Sequence, residues 1–155
     1  MLRLNVVALT RLTRAALPGL VARGRVAIVN VASILAFLPQ PGNAAYSGSK
    51  AYVLNFSEGV QQEVAERGVL VQALLPGATA TDFWDTAGVD LSKLPASIVM
   101  SGADLVAAAL EGLDRREEVC IPGLPEIATW EAFRSARSAL GAAAMSDRPA
   151  ARLAA

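Results

Sequence analysis

Hydrophobic and polar positions change period several times along the chain, and each change marks an element. From Asn5 to Val21 the residues Val6, Leu9, Leu12, Thr13, Ala16, Leu17 and Leu20 recur at helical spacing, with Gly24 following as a stop signal. This predicts a first helix. The run VAIVNVAS, from Val26 to Ser33, is short, continuous and rich in β-branched residues, with Gly-Arg before it and a Pro- and Gly-containing loop after it. It predicts a buried parallel strand over Val26–Val31. After the loop LPQPGN a helical stretch runs from about Ala44 to Arg67 and closes at Gly68. VLVQALLP then predicts a second buried strand, Val69–Leu75, ended by Pro76 and Gly77. Strand, helix, strand in this order makes a right-handed crossover.

The stretch from Thr79 to Val99 has no clear period and contains Gly88, Pro95 and the acids Asp82, Asp85 and Asp90, which predicts a mobile loop with short helical turns. Ser101 and Asp104 have the spacing of a capping box opening the helix ADLVAAALEGLD, and EEVCIP follows as a third strand, Glu118–Ile121. Pro125 begins a last amphipathic helix carrying Trp130, Phe133 and Leu140, and the tail from Ser146 is expected to fray. No internal repeat and no interdomain linker interrupt this order. The three strands are expected side by side in a parallel α/β sheet flanked by helices.

Composition narrows the function. A chain of 155 residues with 54% hydrophobic side chains has the size and core material of one domain. Charged residues make up 18%, the net charge is zero and the mean hydropathy is +0.41, which disfavours disorder and gives no basic signal for nucleic acid. With no histidine, the chain cannot build a Ser-His-Asp triad, a Cys-His dyad or a zinc site with imidazole ligands, so no metal is expected. The single Cys120 cannot form an internal disulfide, and a reducing, cytoplasmic setting is the default. Net zero hides an asymmetry: Arg3, Arg11, Arg14, Arg23, Arg25 and Lys50 precede the first acid, Glu58, so the first 57 residues carry +6 and the remainder −6. An arginine-rich, acid-free start is also the composition of an organelle presequence, but its apolar periodicity suits a helix packed in its own domain. Arg11 and Arg14 interrupt the apolar stretch, and no run approaches the about 18 residues of a membrane span. Neither a secretory signal nor a membrane partner is expected.

The chemistry concentrates in YSGSK, where Tyr46 and Lys50 stand four apart at the start of a helix and share one face. A free phenol titrates near about 10; a neighbouring ammonium favours phenolate and brings proton exchange closer to neutral pH. Ser33 lies thirteen residues before Tyr46, at the C-terminal end of the first strand, where open α/β sheets hold ligands and a hydroxyl can bond a substrate carbonyl. By itself Ser33 also fits a loop residue satisfying local backbone groups. Asn5 alone fits an N-cap, and PGATAT, with Pro76, Gly77 and Thr81, fits either a ligand-bearing edge or a strand-ending turn.

Together Asn5, NVAS ending in Ser33, YSGSK and PGATAT resemble, in order and spacing, the C-terminal half of the short-chain dehydrogenase/reductase family, from Asn5 to about Gly123. The resemblance implies an incomplete, Rossmann-like doubly wound fold over residues 1–145, with 146–155 as tail. It implies NAD(P)-dependent hydride transfer between nicotinamide and a small-molecule alcohol or carbonyl. Tyr46 would exchange the proton, Ser33 would orient and polarise the carbonyl, Lys50 would bind the nicotinamide ribose and activate the tyrosine, and Asn5 would hold a water leading to Lys50. Thr81 and the backbone around Pro76 and Gly77 would contact NAD or NADP, and the loop from Thr79 would close over substrate. The helices at 5–21 and 44–67 would pair across a homo-oligomer, the first basic, the second bearing Glu58, Glu63 and Glu66.

The departure is large. The family's Gly-rich pyrophosphate turn and its NNAG segment have no counterpart in this sequence, which holds no G-x-G-x-x-G, as if about 90–100 residues of the usual domain were missing. An oxidoreductase that is truncated, or completed by another chain, is therefore expected, inactive by itself. The alternative is an inactive fragment that binds a full-length relative.

Overall fold

A computed structural model describes residues 1–153 apart from Arg25 and Val89, with Asp85 described by its backbone alone. Val89 of the 79–99 loop and the final two residues of the tail thus lie outside the described residues. The chain divides into two compact units, Met1–Gly123 and Leu124–Ala155.

In the first unit, a π-helical segment, Arg3–Ala8, runs into helix α1, Leu9–Arg23, so the helix begins two residues earlier than its apolar spacing predicts. Thr10 donates its hydroxyl to the Val6 carbonyl at 2.7 Å within the widened turn. Gly24 closes α1 at φ +61°, a backbone state that favours glycine. Strand β1, Val26–Val31, is followed by helix α2, Ala44–Val64, whose last turn tightens to a 3₁₀ turn, Ala65–Arg67, before Gly68 at φ +73°. Strand β2, Val69–Leu74, pairs in parallel with β1, Val26 opposite Val69 and Val31 opposite Leu74. Helix α4, Gly102–Asp114, precedes strand β5, Val119–Cys120, which pairs with β2 on its other side. The order is β1-β2-β5, all parallel, as the crossover pattern predicts.

Side-chain alternation explains the layers. Val26 and Ile28 of β1 with Val69 and Val71 of β2 face Leu17, Leu20 and Val21 of α1 and Phe56, Val60 and Val64 of α2. On the opposite face Leu74 and Cys120 meet Leu105 and Ala109 of α4. β2 is therefore buried throughout. β1 is not: with Val29 38% and Val31 50% exposed, it alternates between the helix-covered face and an open one. The continuous apolar run predicts burial on both faces; among the described residues helices cover only one of them, and β1 is the sheet's edge.

Two polar groups in this core are satisfied locally. Asn30 donates to Ser57 Oγ at 3.0 Å, which donates to the Val53 carbonyl at 2.8 Å. The N–H groups of Ala73 and Leu75 donate to Glu118 and Cys120, but Val71, next in that row, lies before β5 begins, and Gln61 Oε1 accepts its N–H at 2.6 Å.

The aperiodic stretch holds more order than its pattern predicts. Strand β3, Ala78–Ala80, and strand β4, Val99–Ser101, pair in parallel around helix α3, Phe83–Ala87, and two 3₁₀ turns. Strands of three residues are too short to show a period of two. Ser101 caps α4 as its spacing predicts, accepting from the Asp104 N–H at 3.0 Å.

In the second unit helix α5, Ile127–Ala144, starts two residues after Pro125. Trp130 is buried, with Phe133 at a 5.5 Å ring separation and Arg137 over its indole at 6.0 Å, whereas Leu140 is exposed. A 3₁₀ turn, Ala151–Leu153, lies in the tail. Among the described residues, no helix is long and apolar enough to cross a membrane.

Candidate active site

The C-terminal edge of the sheet is where the sequence motifs meet. Beyond β1 the ladder continues, with Ala32 N–H donating to Leu74 at 2.7 Å and Ile34 N–H to Pro76 at 3.0 Å. This carries Ser33 alongside the start of PGATAT. Ser33 is buried and caps the turn Ile34–Ala36: its Oγ accepts from Leu35 N–H at 3.2 Å and donates to the Pro76 carbonyl at 3.4 Å. The second bond is at the long limit for a hydroxyl donor, so it holds the proton weakly.

Tyr46 and Lys50 occupy the first two turns of α2 and do share a face. Lys50 Nζ lies 5.6 Å from the centroid of the Tyr46 ring and donates to the carbonyl of Val31, the last residue of β1, at 2.8 Å. That bond ties α2 to the sheet edge two residues before Ser33. Burial lowers the Lys50 pKa from its ordinary value, because a desolvated ammonium is disfavoured. One of its three N–H donors is committed to Val31, which leaves two for a ligand.

Asn5 reaches the same helix one residue away from Lys50. Its Nδ2 donates to Ser49 Oγ at 3.2 Å, and Ser49 Oγ donates to the Tyr46 carbonyl at 2.7 Å. Asn5 thus braces the turn that carries Tyr46 and Lys50, and it sits inside the π-helical segment rather than at a helix cap.

PGATAT is split by the fold. Pro76 and Gly77 leave β2 beside the turn after Ser33, with Gly77 open enough that a Cβ there would meet Ile34 Cδ1 at 3.8 Å. Ala78–Ala80 then form β3, and Thr81 follows, exposed, at its end. Two aromatic residues outside the four motifs complete the edge. Phe83 lies 6.4 Å from the Tyr46 ring, tilted by 36°, and Trp84 meets Phe83 edge-on at 5.8 Å and 76°. The indole Nε1 donates to the Thr79 carbonyl at 2.7 Å. The signal available for them was the adjacent pair of aromatics in TDFWDT, large apolar residues with polar neighbours on both sides in an aperiodic stretch.

The donor set suits the nicotinamide-ribose end of a dinucleotide: an ammonium with free N–H groups, a phenol and a hydroxyl at the carboxyl edge of parallel strands. It does not include a Gly-rich helix start for the pyrophosphate. Among the described residues no group of three or more Cys, Asp or Glu side chains is arranged to hold a metal ion.

Known proteins resemble this chain in sequence and fold. A family model, short chain dehydrogenase, matches residues 1–91. The chain is 30% identical over 123 residues to the very-long-chain 3-oxoacyl-CoA reductase of Anas platyrhynchos, a match covering 79% of this chain and 38% of that protein. It is 44% identical over 77 residues to the inactive hydroxysteroid dehydrogenase-like protein 1 of Danio rerio, covering 50% of this chain and 24% of that one. Among solved structures, a short-chain dehydrogenase from Sphingobium yanoikuyae in complex with NADPH superposes with a TM-score of 0.92 at 43% identity, over 99% of this chain and 59% of that chain. The bulky-bulky ketone specific alcohol dehydrogenase of Comamonas testosteroni superposes at 0.85 and 36% identity, over 99% and 57%. The chain therefore spans well under two thirds of the length of these relatives.

Proposed function

Because the chain belongs to the short-chain dehydrogenase family, a family of oxidoreductases, we propose that it carries the proton-transfer half of an NAD(P)-dependent alcohol/carbonyl oxidoreductase. The observation that carries this reading is Lys50 Nζ held at 5.6 Å over the Tyr46 ring by the end of β1. NAD(P)(H), when bound, supplies or accepts the hydride.

Each residue has a defined task. Tyr46 presents its hydroxyl to the substrate oxygen and gives or takes the proton there. Ser33 releases its weak bond to Pro76 and donates to the same oxygen, fixing the carbonyl in place. Lys50 keeps its anchor on Val31, offers its remaining N–H groups to ribose hydroxyls and stands over the Tyr46 ring. Thr81 and the backbone at Pro76 and Gly77 border the nicotinamide. Asn5 acts one step back, through Ser49, as a positioning residue for the helix turn, with a water beside it as the proton's route to solvent.

The same reading includes a homo-oligomer. A groove of about 800 Å³ between α1 and α2 is lined by Leu17, Pro18 and Phe56 with Arg14 and Glu63 among them. An apolar floor with both signs of charge at its rim is self-complementary for a second copy.

The test joins the chain behind a Gly-rich N-terminal half of the family and follows NADPH oxidation with ketones. Tyr46→Phe should lower kcat by at least about 100-fold while leaving the KM for NADPH unchanged. Lys50→Ala should lower kcat and raise that KM together. Equal, mild effects of the two substitutions overturn these assignments.

A further inference from the structure

Phe83 stands out among the exposed apolar side chains. A single exposed phenylalanine needs no explanation in general. This one is 52% exposed while two of its sides are already fixed, one by the Trp84 edge at 5.8 Å and one by the tilted Tyr46 ring at 6.4 Å. The Trp84 indole does not move freely behind it: its Nε1 is bonded at 2.7 Å to the carbonyl of Thr79, a buried residue of β3 that pairs opposite Met100 of β4. A small sheet, a pinned indole and an open phenyl face are thus assembled beside the ring of the tyrosine proposed to transfer the proton.

From this arrangement we infer that Phe83 is the specificity-determining residue of the site and takes the aryl group of an aryl ketone or aryl carbinol against its open face. The inference rests on the Tyr46 reading of the preceding section. A carbonyl oxygen within about 2.7 Å of the Tyr46 hydroxyl leaves the group on the carbonyl carbon next to the ring that flanks that tyrosine. Aromatic rings pair at centroid separations of about 4.5–7 Å, edge-to-face or offset, and the Tyr46–Phe83 and Phe83–Trp84 pairs already use that range. An aryl substituent extends the series with a matching quadrupole. A saturated ring of similar volume buries the same area without it, so Phe83 discriminates between the two by about 3- to 10-fold in affinity.

The experiment is a protein-observed NMR titration of the 155-residue chain with acetophenone and with cyclohexyl methyl ketone, which share the acetyl carbonyl. Acetophenone should shift the ring signals of Phe83 and Trp84 and bind at least about threefold more tightly than its saturated counterpart. Phe83→Leu, which keeps apolar bulk, should erase that preference, and Phe83→Tyr should restore it, with the amide spectra of both confirming a folded chain. Tyr46→Phe should keep it, because the phenyl edge remains. Equal affinity for the two ketones, an undiminished preference in Phe83→Leu, no binding of acetophenone, or a Phe83 shift produced by nicotinamide mononucleotide in its place would each overturn the assignment. Full turnover of Tyr46→Phe in the protein joined to the Gly-rich half, with the aryl preference intact, would overturn the proton-transfer reading instead.

Discussion

Gly112, on the face of α4 that meets β5, is the position where one added carbon should be felt most. A Cβ there would stand 2.8 Å from Cys120 Sγ, 3.2 Å from Gln72 Nε2 and 3.3 Å from Cys120 Cβ, the first far inside van der Waals contact. Neither neighbour yields easily: Cys120 is buried, and Gln72 is fully buried with its Nε2 donating to the Glu117 carbonyl at 3.1 Å. Overpacking of this kind costs about 1–3 kcal/mol, while alanine in a helix interior returns about 1 kcal/mol over glycine. Gly112→Ala should therefore destabilise the chain by up to about 2 kcal/mol net, a fall in Tm of up to about 8 °C. Urea denaturation with matched m-values measures it. Adding Cys120→Ala removes the sulfur that clashes, so the double variant should lie above the sum of the single ones by about 1 kcal/mol. A Gly112→Ala chain about 1 kcal/mol more stable than the parent, the full helix gain with no packing cost, or an additive cycle would refute the close approach of α4 to β5.

The remaining expectations concern a thiol and a cofactor. Burial first, then the Glu117 carboxylate, pushes the Cys120 thiol up to about 11 from an ordinary value of 9.0. Its folded value lies above its unfolded one, so the stability it contributes is complete below about pH 9 and is lost as pH rises through about 11; Cys120→Ala should flatten that part of the stability curve, and the native chain should resist alkylation at pH 8. Calorimetric titration of the 155-residue chain with NADPH should show no micromolar binding and no ketone reduction, because ribose contacts without a Gly-rich helix start leave the two phosphates without backbone donors. Micromolar binding with turnover would refute that dependence.

What could be read from the sequence divides along physical lines. The elements with long, regular patterns were legible: α2 and β2 lie where the periodicity of Ala44 to Leu75 puts them, and the parallel order β1-β2-β5 follows from right-handed crossovers joining consecutive strands. The proximity of Tyr46 and Lys50 was legible too, since four residues on a helix fix a shared face whatever the tertiary structure does. The partner of Lys50 was not. Its bond to the Val31 carbonyl joins groups 19 residues apart, and no local pattern encodes the carbonyl at the end of an edge strand as the acceptor.

The same limit separates Ser33 and Asn5 from the residues around them. Each had a local reading and a functional one, and the structure shows which local partners each has taken. Ser33 satisfies the turn Ile34–Ala36 as a loop serine would, yet that turn also holds it beside Pro76 with a proton only weakly committed. Asn5 is not a helix cap, because helical backbone begins before it; instead it spans to Ser49 on α2, a contact 44 residues distant. The Phe83–Trp84 pair escaped for a related reason. Its segment has no period, and its order comes from β3 and β4 meeting across some twenty residues, with the Trp84 indole bonded to the backbone of one of those strands. Local pattern thus reaches the residues that a single helix or strand positions. Phe83 and Trp84 are positioned by pairings between distant segments, so the specificity proposed for Phe83 belongs to what only the assembled sheet could disclose.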